Sequence, residues 1–498
     1  MKKKSLSIVW FKKDLRTYDH EPLCLSAKEN NVACIYIYED ELIEQDHFTF
    51  RQLNFLNESL IHLENDLKKI GTTLNLFRGS IEHVFKDISN DYDIKKIYSH
   101  QETGESATFS RDKRAARLFK SQSITWSESQ CNGVFRGLNS RDEWTKRWNA
   151  YMYSPRLNQS SFSQCVRLKN TVPIQTPKDF KMEEGVFSTS GGYSNALSTL
   201  NTFLNKRSIA YSSEMSSPNT AYRSCSRLSA NLSHGNMSLR EIFQRTNEKR
   251  KNLREQKVRN GHLKSLAAFS SRLHWHCHFI QKLETQPSLE YQNMVRAFDG
   301  MREDDFNPKN FDLWKNGMTG YPLVDACMRA LRKEGWINFR MRAMIVSFAS
   351  YNLWLDWKKT SKVLAAYFTD YEPGIHYNQI QMQSGVTGIN TIRIYNPTKQ
   401  LLDQDPKGEF VRKWCPELKN VPDDFLTQPF MLPDAAQKKY NCIIGKDYPS
   451  ISVDLLKSSK LAREKIYAIK RLPDTRAQSA AAYDLHGSRK KNRNKYRS

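Results

Sequence analysis

Apolar residues in the first 130 positions come in short runs separated by amphipathic stretches. Ser5–Trp10, Ala33–Tyr38, Thr72–Phe77, Lys95–Ser99 and Ser123–Trp126 are strand-length runs, most of them rich in β-branched and aromatic residues. A helix-like stretch, Glu21–Glu29, separates the first two. Leu53, Leu56, Leu60, Leu63, Leu67 and Ile70 then recur at steps of three and four, one face of an amphipathic helix, and Gly71 stops it. Strands alternating with helices predict βαβ units and a parallel, doubly wound sheet. Residues 1–135 therefore read as an α/β unit of Rossmann-like kind. No GxGxxG follows the first strand, so the sheet carries no dinucleotide fingerprint of its own.

The pattern changes after Tyr153. Pro155, Pro173, Pro177, Gly191 and Gly192 stand among many Ser and Thr, and residues 136–194 read as a surface connection. From Asn195 strand signals nearly vanish, and Trp, Phe, Leu and Met fall at helical spacing. Residues 195–470 are expected to be an all-helical domain. Arg489, Lys490, Lys491, Arg493, Lys495 and Arg497 have no apolar period, and residues 471–498 are expected to form a disordered basic tail.

Charge adds a partner class. There are 77 basic and 53 acidic residues, a net +24, which points to a polyanion: nucleic acid first, a membrane surface as the alternative. No apolar stretch approaches the ~18 residues of a membrane span. The basic start Met1–Ser5 is followed by too short an apolar run for a secretory leader. None of the nine cysteines forms CxxC, so a reduced, cytoplasmic or nuclear protein is expected, without zinc or iron–sulfur sites. His274, His276 and His278 are weak metal candidates, because residues two apart diverge by ~200° on a helix.

Several motifs point to one family. Trp10-Phe11-Lys12-Lys13-Asp14-Leu15-Arg16 is followed by Asp19. Trp314-Lys315-Asn316-Gly317-Met318-Thr319-Gly320-Tyr321-Pro322-Leu323-Val324-Asp325-Ala326 is followed by Gly335-Trp336 and Arg340-Met341-Arg342. Arg393-Ile394-Tyr395-Asn396-Pro397 and the run Gly408–Leu418 come later. In this order the chain resembles the photolyase/cryptochrome superfamily over nearly its whole length. The resemblance implies an N-terminal antenna domain and a helical domain holding FAD. A second antenna chromophore (folate, deazaflavin or other) belongs to the same expectation. It implies either blue-light-driven repair of pyrimidine lesions in duplex or single-stranded DNA, as in photolyases, or light signalling, as in cryptochromes. A monomer is expected.

The resemblance also places residues. Cys225-Ser226-Arg227-Leu228-Ser229 matches the family's phosphate-contacting run, with Cys225 in place of a hydroxyl residue; free N–H groups at a helix start favour an anion. Tyr211 matches an FAD-contacting tyrosine. Arg342 and Asp370 match the pair beside the isoalloxazine ring, and Glu372 a second flavin-contacting acid. His376, or alternatively Asn378, is placed at flavin N5. Trp357 matches one member of the usual electron-relay tryptophans, while Ile380 replaces the flavin-proximal one; Trp354, Tyr371 and Tyr377 are possible substitutes. Trp275 matches the tryptophan that stacks on the lesion. Arg272 stands where dimer photolyases have an acid, and Phe339 where they have Asn. Arg272, Trp275, His276, Phe339, Arg340 and Lys399 are the expected DNA contacts. Without the resemblance each would read as core packing or solvated charge, and a basic nucleic-acid-binding protein without light chemistry would remain a rival.

Overall fold

The computed structural model describes residues 3–138, 140–164, 166–183, 185 and 189–488. Five strands, β1 (Lys4–Phe11), β2 (Val32–Tyr38), β3 (Leu74–Arg78), β4 (Tyr92–His100) and β5 (Thr125–Ser129), form one parallel sheet in the order β3-β2-β1-β4-β5. Each lies within three residues of the run that predicted it. Ile8 of β1 sits opposite Ala33 on one side and Ile97 on the other. Both faces are buried, as a parallel sheet requires. Leu6, Ile8 and Trp10 face one core with Ile35, Phe85 and Phe119, while Val9 and Phe11 face another with Leu53, Leu60 and Leu67.

The predicted Leu-rich helix runs Phe50–Lys69 and ends beside Gly71, whose φ is +87°. A Cβ at Gly71 would lie 2.3 Å from the Phe162 carbonyl oxygen. Gly71→Ala is therefore expected to destabilise the fold by about 2 kcal/mol, from left-handed strain plus a backbone clash. A lowered urea midpoint at unchanged m-value checks this; an unchanged midpoint refutes it.

The segment 136–194 is more than a surface connection. Trp144–Tyr153 is a helix whose Trp144, Trp148 and Met152 pack with Leu200, Phe203, Phe243 and Leu266 of the helical region. Further on, the Phe162 and Val172 N–H groups donate to Ile70 and Leu76 carbonyls at 2.8 Å. This covers the edge strand β3, whose backbone groups need partners. At the other end, the expected disorder from residue 471 is corrected. Pro473–His486 is a helix, begun by Pro473 and carried by Ala480–Ala482, with Thr475, Ala482 and His486 buried. The basic run from Arg489 lies outside the described residues.

After residue 190 the described chain is helical. Much of the motif that carries the family resemblance is structural. Trp314 donates its indole N–H to the Ile345 carbonyl (3.1 Å). The buried Asp325 carboxylate accepts from Thr319 N–H (2.7 Å), Gly320 N–H (3.0 Å) and Tyr448 O–H (2.6 Å). The N-terminal motif stitches sheet to helices: Arg16 donates to the Gly235 carbonyl (3.1 Å), and Asp19 pairs with Arg240 and accepts from Ser238 (2.5 Å). No described helix is long and apolar enough to cross a membrane.

Candidate FAD and substrate site

The loop Cys225–Leu228 leads into a helix, Ser229–Ser233, of only five residues. So short a helix has little macrodipole, and the anion-attracting charge expected at its start comes instead from side chains. Arg207, Arg227, Arg272 and Arg342 all act on Cys225, whose thiol is nevertheless pushed up to about 11 by burial. Arg207 donates to the Cys225 and Ser226 carbonyls, fixing the loop from 18 residues away. Sequence reasoning missed Arg207, because nothing local marks it. Arg227 has a left-handed backbone (φ 62°) and stacks its guanidinium on Trp336 (3.8 Å to the ring centre) and Tyr222 (4.2 Å).

Arg342 forks onto Asp370 with bonds of 3.1 and 2.8 Å and also donates to the Ile337 carbonyl (2.8 Å). Burial acts to raise the Asp370 pKa, but Arg342, Ser229 and Arg227 outweigh it and hold the carboxyl below its ordinary range. Arg342 and Arg227 thus act on one ionised carboxylate, while Arg207 and Arg272 join them around Cys225, an arrangement that suits a ligand carrying several negative charges.

The long helix His262–Thr285 supplies the floor. Arg272, His276 and Ile280 share one of its faces at four-residue steps. Arg272 lies over the rings of Trp275 (4.8 Å) and Phe339 (5.6 Å), and Phe339 is 48 % exposed, so this end opens to solvent. Tyr211 is buried against Phe203 and Phe269, and burial pushes its hydroxyl up to about 12. Leu228 is buried and Ser226 half-buried. Arg340 is half-buried and Lys399 exposed. Asn338, beside Phe339, donates its amide N–H₂ to the Met215 and Ser216 carbonyls (3.1 and 2.8 Å) and keeps its Oδ1 unpartnered.

His276 and Glu372 line a cavity of ≈ 70 Å³ where the carboxyl ends of β1 and β4 meet the helices, beside Lys13, Glu102 and Ile280. Burial pushes Glu372 up to about 7. The two N5 candidates separate. His376 is spoken for: its Nε2 bonds the Ser361 carbonyl (3.0 Å) and its ring packs on Tyr371 and Tyr377. Asn378, ~200° away on the helix Pro373–Ser384, donates to Phe279 and Gly374 carbonyls and keeps its Oδ1 unpartnered. Trp357 is buried, with its N–H on Asn293 Oδ1 (2.6 Å).

Unpartnered buried atoms cluster in this region: Arg227 Nη1, His276 Nδ1, Glu372 Oε1, Asn378 Oδ1 and Arg340 Nε. Buried polar groups normally find partners, so these indicate a polar ligand. A flavin dinucleotide carries a diphosphate for the guanidinium groups and ring N–H and carbonyl groups for the rest. The residues fit it.

Comparison with known proteins agrees. Residues 7–138 match the family of DNA photolyase, and residues 269–468 match the FAD binding domain of DNA photolyase. The chain belongs to the photolyase/cryptochrome superfamily. It is 29 % identical to cryptochrome DASH of Synechocystis sp. over 92 % of this chain and 97 % of that protein. It is 26 % identical to a deoxyribodipyrimidine photo-lyase of Alkalihalophilus pseudofirmus over 92 % and 97 %. The solved Synechocystis cryptochrome superposes with TM-score 0.82 at 25 % identity, over 93 % of this chain and 99 % of that one. Its cofactor is FAD, as the matched domain dictates.

One other cluster has metal-ligand spacing, buried Asp14, His20 and His100. Three hydrogen bonds already hold the Asp14 carboxylate. His20 Nδ1 accepts from Leu23 N–H (3.2 Å), which leaves Nε2–H to donate to Asp14 (3.0 Å); His100 Nδ1–H donates to the same oxygen (2.7 Å), and Lys12 N–H to the other (2.7 Å).

Proposed function

We propose that this member of the superfamily is a blue-light-driven DNA photolyase that splits UV-induced pyrimidine lesions. The observation that carries the reading is Arg272 lying over the rings of Trp275 and Phe339, with Phe339 open to solvent. When bound, FAD supplies light absorption and the transferable electron. Arg227 and Arg342 hold its negative charges, with Asp370 fixing Arg342. Asn378 Oδ1 and Glu372 accept from ring or ribityl donors. Trp275 and Phe339 offer aromatic faces to an extruded base, and flipping is cheap for a lesion that already stacks badly. Arg340 and Lys399 contact phosphate.

Arg272 takes the acid's role in reverse: it donates to a base carbonyl as negative charge develops there. Reduced protein illuminated with oligonucleotides carrying a cyclobutane dimer or a 6-4 product is expected to restore the bases. Arg272→Ala is expected to lower the repair yield ~10²-fold, the usual worth of such a donor, with little change in affinity for undamaged DNA. If the variant instead weakens binding to all DNA and lowers the salt slope by about one, Arg272 is a phosphate clamp. A flavin that photoreduces while neither lesion is repaired favours the photoreceptor reading, which the replacement of the usual acid by Arg272 also supports. A purified protein without flavin leaves the basic nucleic-acid binder.

A further inference from the structure

Ile380 cannot carry an electron, yet an oxidisable chain lies close by. Trp357 and Tyr377 are edge to face at 6.5 Å between ring centres, and Tyr377 and Tyr371 at 6.4 Å. The Tyr377 hydroxyl is 3.1 Å from the Tyr371 hydroxyl. Tyr371 in turn donates a short hydrogen bond to Glu105 Oε1, which Tyr377 approaches to 3.4 Å. Glu105 comes from the sheet-bearing unit, 266 residues away in sequence. Its other oxygen lies 3.3 Å from His47 Nε2, and the His47 side chain keeps 17 % exposure, enough for a proton to leave. These are two buried phenols that share one carboxylate with a route to water.

We infer that Tyr371, Tyr377 and Glu105 form a proton-coupled redox site, in which Tyr371 gives up an electron as its phenolic proton moves to Glu105. Three features support it. A buried tyrosine that lost only its electron would become a buried radical cation whose hydroxyl is far more acidic than the Glu105 carboxyl it bonds. Transfer of the O–H proton to Glu105 leaves a neutral tyrosyl radical and a neutral carboxylic acid. The base is ready: burial alone would raise the Glu105 pKa, but His47, Tyr371 and Lys13 bring it below its ordinary value, so it is ionised at rest. Tyr371 stays protonated at rest, since burial and Glu105 push its pKa far up. The inference rests on the flavin reading above only for its oxidant, a photoexcited oxidised isoalloxazine, reduced by the one electron that Tyr371 loses through Tyr377 and Trp357. Glu290 and His376 also face this site and carry no part of the transfer.

The test reads the radical and not repair. Flavin-loaded protein is illuminated, frozen and examined by electron paramagnetic resonance, while flavin bleaching is followed separately by absorption. The wild type is expected to show a tyrosyl signal whose formation slows in D₂O. The double variant Tyr371→Phe with Tyr377→Phe should replace it with a tryptophan radical. Glu105→Gln, which keeps every ring, should cut tyrosyl yield roughly 10²-fold, the usual worth of a positioned proton acceptor. A tryptophan radical alone in bleaching wild type, or full tyrosyl yield in Glu105→Gln, overturns the site and leaves the photoreduction reading standing. If the flavin does not bleach, that reading fails instead. The site is then decided in the same protein with a soluble ruthenium tris-bipyridyl photo-oxidant and persulfate, where the same signals support or overturn it.

Discussion

Asp370→Ala is expected to yield protein nearly free of flavin. The substitution removes the carboxylate that receives both arms of Arg342 and leaves that guanidinium facing Arg227 without a counter-charge. Breaking a buried pair from one side costs about 3–5 kcal/mol, or roughly 10²–10⁴-fold in cofactor affinity where the pair lines the site. Asp370→Asn keeps the shape and one acceptor, so it should lose less. Flavin absorbance per protein after purification, and titration of the stripped protein with FAD, measure both. Full flavin content in Asp370→Ala would show that the Arg342–Asp370 pair lies outside the cofactor site.

The second large effect is with pH. His100, His234 and His486 are buried and neutral, brought down by burial to about 3, about 4 and about 3. All three also hold hydrogen-bond partners, Asp14, the Ala230 carbonyl and Gln286; Asp14 and the Ala230 carbonyl favour the charged ring, but burial outweighs them. In the unfolded chain each takes a proton near pH 6.5. Because the folded pKa values are depressed, this stability is complete above pH 6.5 and is lost as pH falls from there towards the folded values. Each histidine contributes a slope of about 1.4 kcal/mol per pH unit in that window. Between pH 7.5 and 5.5 these three together should remove about 4 kcal/mol of unfolding free energy. Asp14, whose folded pKa also lies below the usual carboxylate range through His100 and His20 despite burial, extends the loss below pH 4. Urea titrations at the two pH values test this, with His486→Gln expected to remove about 1.4 kcal/mol of the difference. A pH-independent midpoint would refute it.

Much of this molecule was legible in the chain. The five strands and the Leu53–Ile70 helix are written in local periodicity, because a buried sheet and an amphipathic helix repeat every few residues. The Arg342–Asp370 pair was legible through the family motif, and the structure brings the two together. The anion-binding charge expected from the helix start at Ser229 has little helix behind it, five residues, and the arginines beside Cys225 are the positive groups there. The structure orients His376 towards the Ser361 carbonyl and leaves Asn378 with the free acceptor, a choice the spacing alone left open. The helix Pro473–His486 was hidden because its neighbours in sequence are basic, whereas its buried side, Thr475, Ala482 and His486, finds partners elsewhere in the fold.

The sequence by itself determined the α/β unit, the helical region and the residue types of a flavin site, since each is encoded within a few neighbours along the chain. Only the tertiary structure decided that Arg207 braces Cys225, that Arg272 lies between Trp275 and Phe339, and that Glu105 meets Tyr371. Contacts between residues so far apart leave no periodic trace, and which buried charges meet is settled by how the packed units dock.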